Sequence, residues 1–585
     1  MLLKKLIEHG QGRVDLPPPY YRKRAIRWVI HLDTTEPSRP VELGSLADAG
    51  NPAGRVLATP YIYRSGRTPP PMLLVDTLEY VLGMLKDDSD KAERDAEQRN
   101  DQYVALIHGW RDSAPTDPAA QAVCTFFDAE RHLQITIPEE AKPSDTVAIR
   151  VDSAWAHLQP SAQAFWAQVV GQRKSTTTSG GAGVCLVCGQ VGSLLTTIPE
   201  PIKAGAIPAA SGRGRDAQLI SINKPAQGRG GAIQLANTPV CADCGSQVMA
   251  ALNALLTDRA HHHRNTDSAL VWWLRDPAEP DWLQSVFTPQ LADVKELIRA
   301  AHRPYGDRAL AATDENAFYA VTLGANQSRV VVRDWIEVPI PTLKANLGTW
   351  FTDHQVIDPW NDDGPQPVPL RRLVQAAGRW DKRRNQYITG TAPHATERVL
   401  LLAAIRATPP PTSLLPNLLQ RIRADHRIDP PRIALLRLIL NRPPHRRRNQ
   451  EPLMPELNID ADDPAYLWGR TFAVFEAIQR KALPEVNTTI ADRYFSVAMT
   501  QPLATFRSLR VNAKAHLRKL QRSQLTRGAG YALDSRLIDL VARLKEEPPA
   551  HLDMRGQARF ILGYDHQRAT DIAAARAAKG ATADA

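Results

Sequence analysis

The sequence predicts a multidomain protein with a mixed α/β N-terminal region, an embedded zinc-ribbon-like module and an all-α helical bundle after it. Three observations lead to this prediction. Four of the five cysteines stand in two Cys-x-x-Cys-Gly motifs, the strand-like runs end by Val338, and helical periodicity dominates beyond Arg371. At 585 residues the chain has room for about three or four domains of ordinary size.

These observations divide the chain into four parts. A mixed α/β domain covers residues 1–184 and 246–370, and a zinc-clamped insertion at residues 185–245 interrupts it. A basic helical connector follows at residues 371–453. A C-terminal helical bundle at residues 454–585 completes the chain.

The N-terminal domain contains strand-like and helix-like runs. Ile26 to Leu32 and Thr146 to Val151 have the length and β-branched content of strands. The apolar residues from Leu73 to Leu85 follow helical spacing. Phe318 to Leu323 and Arg329 to Val338 are typical of a β-hairpin, with a Gly-containing turn between them.

The cysteine motifs indicate a metal site. Cys185 and Cys188 form one pair, and Cys241 and Cys244 form the other. Four thiolates are the closed tetrahedral set that structural Zn²⁺ prefers, which leaves no position for catalysis. A redox pair and unliganded buried thiols are the alternatives. The 52 residues between the pairs (189–240) are rich in Gly, Pro, Ala and Arg, so we expect a long projecting loop with the metal at its base.

The charge of the chain indicates an anionic partner. The net charge is +10, but residues 371–448 contain 17 Lys and Arg against 4 Asp and Glu, a surplus of 13 that exceeds that of the whole chain. The sequence has no apolar run long enough to span a membrane and no signal peptide, so we expect a cytoplasmic protein.

Two further basic features favour nucleic acid. Arg64 and Arg67 lie in a loop before Pro69-Pro70-Pro71, where they can contact phosphates or base edges; an ordinary solvated turn explains them as well. Between Phe506 and Gly528 seven basic residues occur without an acid, and four of them recur at every fourth position: Arg510, Lys514, Arg518 and Arg522. Like charges at that spacing repel one another, so a stripe that holds a nucleic-acid backbone is favoured over a solvated helix face.

Motifs for catalysis are absent from the sequence. It contains no phosphate-binding Gly-x-x-x-x-Gly-Lys-Ser/Thr loop, no Gly-x-Ser-x-Gly elbow, no His-Glu-x-x-His and no dinucleotide fingerprint. We therefore predict a non-enzyme. The alternative is a stand-alone zinc-dependent enzyme that processes nucleic acid.

Several segments, in this order, resemble the large subunit of the type I-C CRISPR surveillance complex, Cascade. They are YYRKRAIRWVIHLD (20–33), YRSGRTPPPMLLVDTLEYVLG (63–83), CLVCG (185–189), Ile202-Lys203, LISIN (219–223), FYAVTLGANQSRVVVRDW (318–335) and RGQARFILGYDHQR (555–568). The four-cysteine set departs from this family, many members of which carry the first cysteine but not all four. The zinc site is therefore expected in a subgroup.

The resemblance implies a non-catalytic subunit at the 5′ end of a guide-RNA ribonucleoprotein. Such a subunit recognises a short motif flanking the target (the PAM) in duplex DNA, assists strand opening, stabilises the R-loop and provides a docking surface for a helicase–nuclease. For motif reading we predict Arg64 and Arg67 together with Asn223, Lys224 and Gln227, whose side chains suit base edges and phosphates.

The resemblance also implies a second product of the same gene. In the type I-C family a small subunit arises by internal translation of the large-subunit gene. Met454 lies in a Pro-rich linker after the connector, and a chain that starts there has 132 residues and contains every helix of the predicted bundle.

Overall fold

Residues with β-branched and aromatic side chains build the sheets in the N-terminal half of the chain. The structure is a computed structural model that describes residues 2–11, 17–35, 41–62, 64, 69–174, 183–208, 216–277, 280–301, 316–326, 329–446 and 450–583. The chain divides into two compact units. The first contains Met1–Arg275 with Phe318–Glu337, and the second contains Asp276–Ala317 with Val338–Ala585.

The strands of the N-terminal half form two larger sheets and two small ladders. They are β1 (Tyr21–Ile26), β2 (Trp28–Leu32), β3 (Leu43–Ser45), β4 (Arg55–Pro60), β5 (Val75–Thr77), β6 (Thr146–Val151), β7 (Ala154–Trp155), β8 (Gly183–Val184), β9 (Val191–Gly192), β10 (His262–Arg264), β11 (Ser268–Leu274), β12 (Ala317–Asn326) and β13 (Arg329–Pro339). The first sheet has the order β3-β2-β6-β5 with β7 beside β6, and its central pair β2/β6 is parallel. The second sheet is ordered β10-β11-β12-β13, and β1 pairs antiparallel with β4.

Helices of the first unit pack on these sheets or on one another. They are α1 (Leu2–Gln11), α2 (Leu78–Val81), α3 (Asp90–Ser113), α4 (Pro118–Asp128), α5 (Pro160–Lys174) and α6 (Ala242–Thr257). Trp28 and Ile149 of the sheet belong to one buried apolar cluster with Trp110 of α3 and Trp166 of α5. This cluster fixes the platform from which the loops of the first unit extend.

The second unit is mainly helical. Its elements are α7 (Gln284–Phe287), α8 (Leu291–Ala301), α9 (Ile340–His354), α10 (Leu370–Ala376), β14 (Trp380–Asp381), β15 (Gln386–Tyr387), α11 (Thr396–Arg406), α12 (Leu414–Asp425), α13 (Pro430–Leu440), α14 (Pro464–Ala482), α15 (Ile490–Thr500), α16 (Pro502–Arg522), α17 (Arg527–Arg543) and α18 (Met554–Ala583). Trp468 of α14 packs against Phe472, Phe506 and Phe560, with ring centroids 5.9–6.2 Å apart. This aromatic group holds α14, α16 and α18 together.

The predicted fold class is confirmed, with one local correction. The described chain has a mixed α/β N-terminal region, a four-cysteine cluster within it and a helical C-terminal half. The helix predicted from Leu73 to Leu85 is wrong, because Val75–Thr77 forms a strand and only Leu78–Val81 is helical. Val75 and Asp76 pair with the central strand β6, and this pairing overrides the helical spacing of the apolar residues.

The second unit contains the whole of the predicted connector (371–453) and bundle (454–585). The boundary between those two parts stays a prediction. Among the described residues, none of the helices combines the length and apolar character needed to cross a membrane.

Candidate metal centre and nucleic-acid-binding surfaces

The four predicted metal ligands come together in space. The sulfur atoms of Cys185, Cys188, Cys241 and Cys244 all lie within 4.8 Å of one another, and those of Cys188 and Cys241 are 3.9 Å apart. Four sulfurs around a tetrahedral Zn²⁺, each at about 2.3 Å, would be about 3.8 Å apart. The donor set and its spacing therefore fit a thiolate-bound metal ion.

Local backbone geometry places the first cysteine pair. Cys185 and Cys188 lie in the turn between β8 and β9, and Gly189 closes this turn with φ +75° while its amide donates to the carbonyl oxygen of Cys185 at 2.9 Å. A left-handed φ is readily available to glycine, which explains its place after the pair.

Helix α6 places the second pair. Cys241 precedes the helix and Cys244 lies in its first turn. Gly245 follows, and a Cβ at this position would overlap the side chain of Leu195. A hydrogen bond of 2.9 Å from the Leu186 amide to the Pro239 carbonyl ties the two pairs together.

Backbone amides prepare one thiol for ionisation. Burial disfavours the thiolate of Cys185, but hydrogen bonds from the amides of Cys188, Cys241 and Val187 outweigh it and lower its pKa to about 6. Burial raises the pKa of Cys241 and of Cys244. A cluster in which the pKa of Cys185 is lowered and those of Cys241 and Cys244 are raised is suited to a cation that displaces the remaining protons.

The insertion between the pairs differs from the expected projecting loop. Its described residues include a buried apolar set: Leu195, Ile198, Ile202, Ile207, Ala217, Leu219 and Leu235. Ile202 pairs with Ala217, and Gln218 pairs with Arg329 at the start of β13. The insertion is therefore a packed module, which the Gly- and Pro-rich composition concealed.

Three of the predicted motif-reading residues share one turn of this insertion. Asn223, Lys224 and Gln227 are exposed. The Asn223 side-chain oxygen accepts from Ser221 at 3.0 Å, and the Gln227 side-chain oxygen accepts from Arg329 at 2.9 Å. These bonds stabilise the turn, and all three residues remain exposed.

The other predicted motif-reading residues, Arg64 and Arg67, belong to the predicted loop before Pro69. Arg64 forms an ion pair with the buried Asp76, and its guanidinium lies over the ring of Tyr80 at 4.4 Å. Asp76 also accepts from the Met72 amide at 2.7 Å, so Arg64 supports the loop, and only 19% of its side chain is exposed. Arg67 lies outside the described residues.

The predicted basic stripe lies on the solvent side of α16. Lys514, Arg518 and Arg522 are exposed, whereas Arg510 is partly covered and lies 3.9 Å from Glu546. The opposite side of the helix is buried through Phe506, Leu509, Ala513, Leu517 and Leu520. The amphipathic placement fits the spacing argument, and binding by the stripe stays a prediction.

One exposed basic group was not singled out from the sequence. Lys382, Arg383 and Arg384 form the tip of the β14–β15 hairpin. The flanking Trp380 and Tyr387, with Asp381 and Asn385 at the turn, were the signal that would have identified this hairpin.

Comparison with known proteins gives a match over nearly the whole chain. The sequence model of the family described as CRISPR-associated protein (Cas_Csd1) matches residues 3–571. No curated protein matches the chain.

Proposed function

The chain belongs to the Cas_Csd1 family of CRISPR-associated proteins, the type I-C large subunits, and from this premise we propose that it recognises the target-flanking motif in duplex DNA. On this proposal it also assists strand opening, stabilises the R-loop and presents a docking surface for the helicase–nuclease. It performs no catalysis itself. The match across residues 3–571 is the observation that carries the proposal.

The turn around Asn223 supports a role in motif reading. Asn and Gln side chains can contact base edges, and Lys224 beside them can hold a phosphate. All three are exposed on a turn that the bond between Gln227 and Arg329 fixes to β13. We assign Arg64 and Arg67 to the same task, with Arg64 held in place by Asp76.

The stripe on α16 supports backbone binding. Lys514, Arg518 and Arg522 face solvent without an acidic partner among the described residues, so they can contact successive phosphates of the displaced or target strand. Arg510 contributes less because Glu546 lies near it.

The cysteine cluster supports a structural zinc ion. Cys185, Cys188, Cys241 and Cys244 fill all four positions of a tetrahedral site. When bound, the metal holds the two ends of the insertion that carries Asn223, Lys224 and Gln227.

The proposed partners are a guide-RNA ribonucleoprotein with the backbone and 5′-end subunits of Cascade, target double-stranded DNA and the helicase–nuclease. A small subunit identical to the region from Met454 is a further proposed partner. Co-expression of the chain with its genomic neighbours tests this assembly. We expect a complex from which RNA can be extracted and which binds duplex DNA only with the correct flanking motif.

The same experiment separates this proposal from a stand-alone zinc-dependent enzyme. The isolated chain, incubated with DNA and RNA, should leave both intact. Purification as a single protein without RNA, together with metal-dependent cleavage, would contradict the proposed function.

A further inference from the structure

The basic connector contains a short, well-defined β-hairpin. Strands β14 and β15 are antiparallel, with Trp380 opposite Tyr387 and Asp381 opposite Gln386, which leaves residues 382–385 as the turn. The Asp381 carboxylate accepts from the amides of Arg383 and Arg384 at 2.9 and 3.2 Å. Asn385 closes the turn with φ +51°. The tip therefore has one defined backbone conformation.

The base of the hairpin is anchored to the helices beneath it. The rings of Trp380 and Tyr387 meet edge to face at 4.9 Å, and the guanidinium of Arg427 lies 3.5 Å from the centre of the Trp380 ring. The Tyr387 hydroxyl donates to Asp429 at 2.8 Å, and the Trp380 amide donates to Asp425 at 3.2 Å. These contacts hold the hairpin in place before any ligand arrives.

Part of the positive charge in the connector is buried and has a structural role. Arg432 is buried with Asp425, and Arg442 is buried with Asp353 at 2.8 Å. Arg437 is buried and donates to backbone carbonyl oxygens, including that of Leu453 at 2.6 Å. The local surplus of Lys and Arg in the sequence thus overstates the charge that a ligand can reach.

The tip of the hairpin places three accessible cations at adjacent positions. Lys382 and Arg383 are exposed and form no ion pair with any described residue, and Arg384 reaches only Asp381, at 3.9 Å, with 76% of its side chain exposed. The nearby acids are engaged elsewhere, since Asp425 pairs with Arg432 and Asp429 pairs with Arg427. Three adjacent cations on a rigid turn repel one another, and a polyanion would relieve that repulsion.

We propose that the tip of this hairpin, Lys382, Arg383 and Arg384, binds the sugar–phosphate backbone of a nucleic acid. The site is separate in sequence from the turn around Asn223 and from the stripe on α16. Arginine presents a planar fork to a phosphate and lysine a point charge, so the three side chains suit two or three successive phosphates. This inference rests on the proposed nucleic-acid-binding function.

The test is a variant of the full chain in which the tip loses its charge: Lys382→Gln, Arg383→Gln and Arg384→Gln. Its affinity is measured over a series of salt concentrations with three probes: duplex DNA, single-stranded DNA and single-stranded RNA. The slope of log K against log salt should fall by roughly 2–3 units on the probe that the tip contacts. The probe that shows the change identifies the strand.

Two matched variants accompany it. Lys91→Gln, Arg94→Gln and Lys142→Gln remove the same charge from exposed positions of the first unit and should leave the slope unchanged. Lys382→Arg, Arg383→Lys and Arg384→Lys keep the charge of the tip and should also keep the slope. If the slope of log K against log salt falls equally in the tip variant and in the variant at Lys91, Arg94 and Lys142, the inference is wrong, because the loss of net charge then explains the fall.

The outcomes also separate this inference from the proposed function. If the wild-type chain binds the probes and the tip variant retains its slope on all three, the hairpin assignment is wrong while the function stands. If the wild-type chain binds none of them, the hairpin assignment is wrong, and DNA binding by the co-expressed complex decides the function separately.

Discussion

Gly469 of α14 and Gly563 of α18 lie at the contact between these two helices, and each is in close contact with the backbone of the opposite helix. A Cβ at Gly469 would overlap the carbonyl oxygen of Phe560, and one at Gly563 would overlap that of Tyr466. Each glycine thus admits the backbone of the other helix. Trp468 packs beside this crossing, so the contact lies within the aromatic core of the second unit.

Substitution at this crossing tests the packing. Gly563→Val should lower the free energy of unfolding by about 1–3 kcal/mol or more, because the backbone of α14 must move to admit the side chain. Thermal denaturation of the purified chain measures the effect. Gly528→Ala is the matched control, since nothing lies within 4 Å of a Cβ there, and it should be neutral or stabilising. Equal effects of the two substitutions would contradict the close approach.

Helix α18 shows which features of the fold cannot be predicted from the sequence. The bundle was predicted as a whole, but the bounds of Met554–Ala583 were not, since Phe560, Ile561 and Leu562 are consecutive and all buried. A helix that is buried on several sides has no amphipathic period, and its glycines lower its helix propensity. The cysteine pairs, in contrast, were predictable because a metal constrains ligand spacing locally. Burial of Arg432 and Arg437 was not predictable, because it depends on distant carbonyl and carboxylate partners.

The metal site predicts one zinc ion per chain. Cys188→Ser should remove it, since three thiolates bind zinc far more weakly than four. Elemental analysis of protein purified without chelator measures the ratio. Cys124→Ala is the control, because Cys124 is buried away from the cluster and its thiol lies 3.7 Å from the Ile107 carbonyl. Zinc-free wild-type protein would rule out the assignment.

The buried carboxyl of Glu200 leads us to predict that the stability of the first unit depends on pH. Burial raises the pKa of Glu200 to about 7, although Arg22, 3.2 Å away, acts in the opposite direction. Between pH 4.5, the usual pKa of a glutamate, and about pH 7 the folded carboxyl keeps a proton that the unfolded chain releases. The folded state then binds more protons, so stability falls as pH rises through this window.

Glu200→Gln should remove this contribution. At pH 8 the free energy of unfolding of the variant should exceed that of the wild type by at most roughly 3 kcal/mol, at about 1.4 kcal/mol per pKa unit. Near pH 4 the two free energies should agree. Denaturation at both pH values measures the difference, and Glu139→Gln at an exposed position is the control. A difference that does not change with pH would argue against a raised pKa.

The stripe on α16 predicts unequal contributions to DNA binding. Substitution of Lys514, Arg518 or Arg522 by Gln should in each case reduce the slope of log K against log salt by about one unit, because the phosphate that is no longer contacted retains its counterion. Arg510→Gln should reduce it less, since Glu546 already lies 3.9 Å away. Binding of DNA by the assembled complex over a salt series provides the measurement. An equal slope in all four variants and the wild type would exclude the stripe.

The turn around Asn223 predicts a loss of motif discrimination. Gln227→Ala or Asn223→Ala should reduce the preference for the duplex with the correct motif by about 1–3 kcal/mol. Lys224→Ala should instead weaken binding to duplexes with the correct and the incorrect motif by the same factor. Competition between the two duplexes separates these effects. An unchanged preference in the Asn223 and Gln227 variants would place motif reading elsewhere.

The region from Met454 predicts a second translation product. Met454 is exposed and precedes α14, so a chain that starts there keeps α14 to α18 and the aromatic core around Trp468. In the full chain α18 also packs against α12 and α13, and the separate product would leave that face open for another subunit. It would also carry the stripe on α16, so additional copies could continue a positive track along the DNA.

Substitution of the start residue tests this product directly. Met454→Ala in the gene should abolish a free fragment that begins near residue 454, while the full-length chain persists because the side chain is exposed. Met554→Ala, at another exposed methionine, should leave the fragment unchanged. Intact-mass analysis of the purified complex, with proteolysis controlled, counts both species. If a fragment with the same start persists in the Met454→Ala variant, it arises from cleavage or from another start codon. If the wild-type gene gives no fragment that begins near residue 454, the hypothesis is wrong.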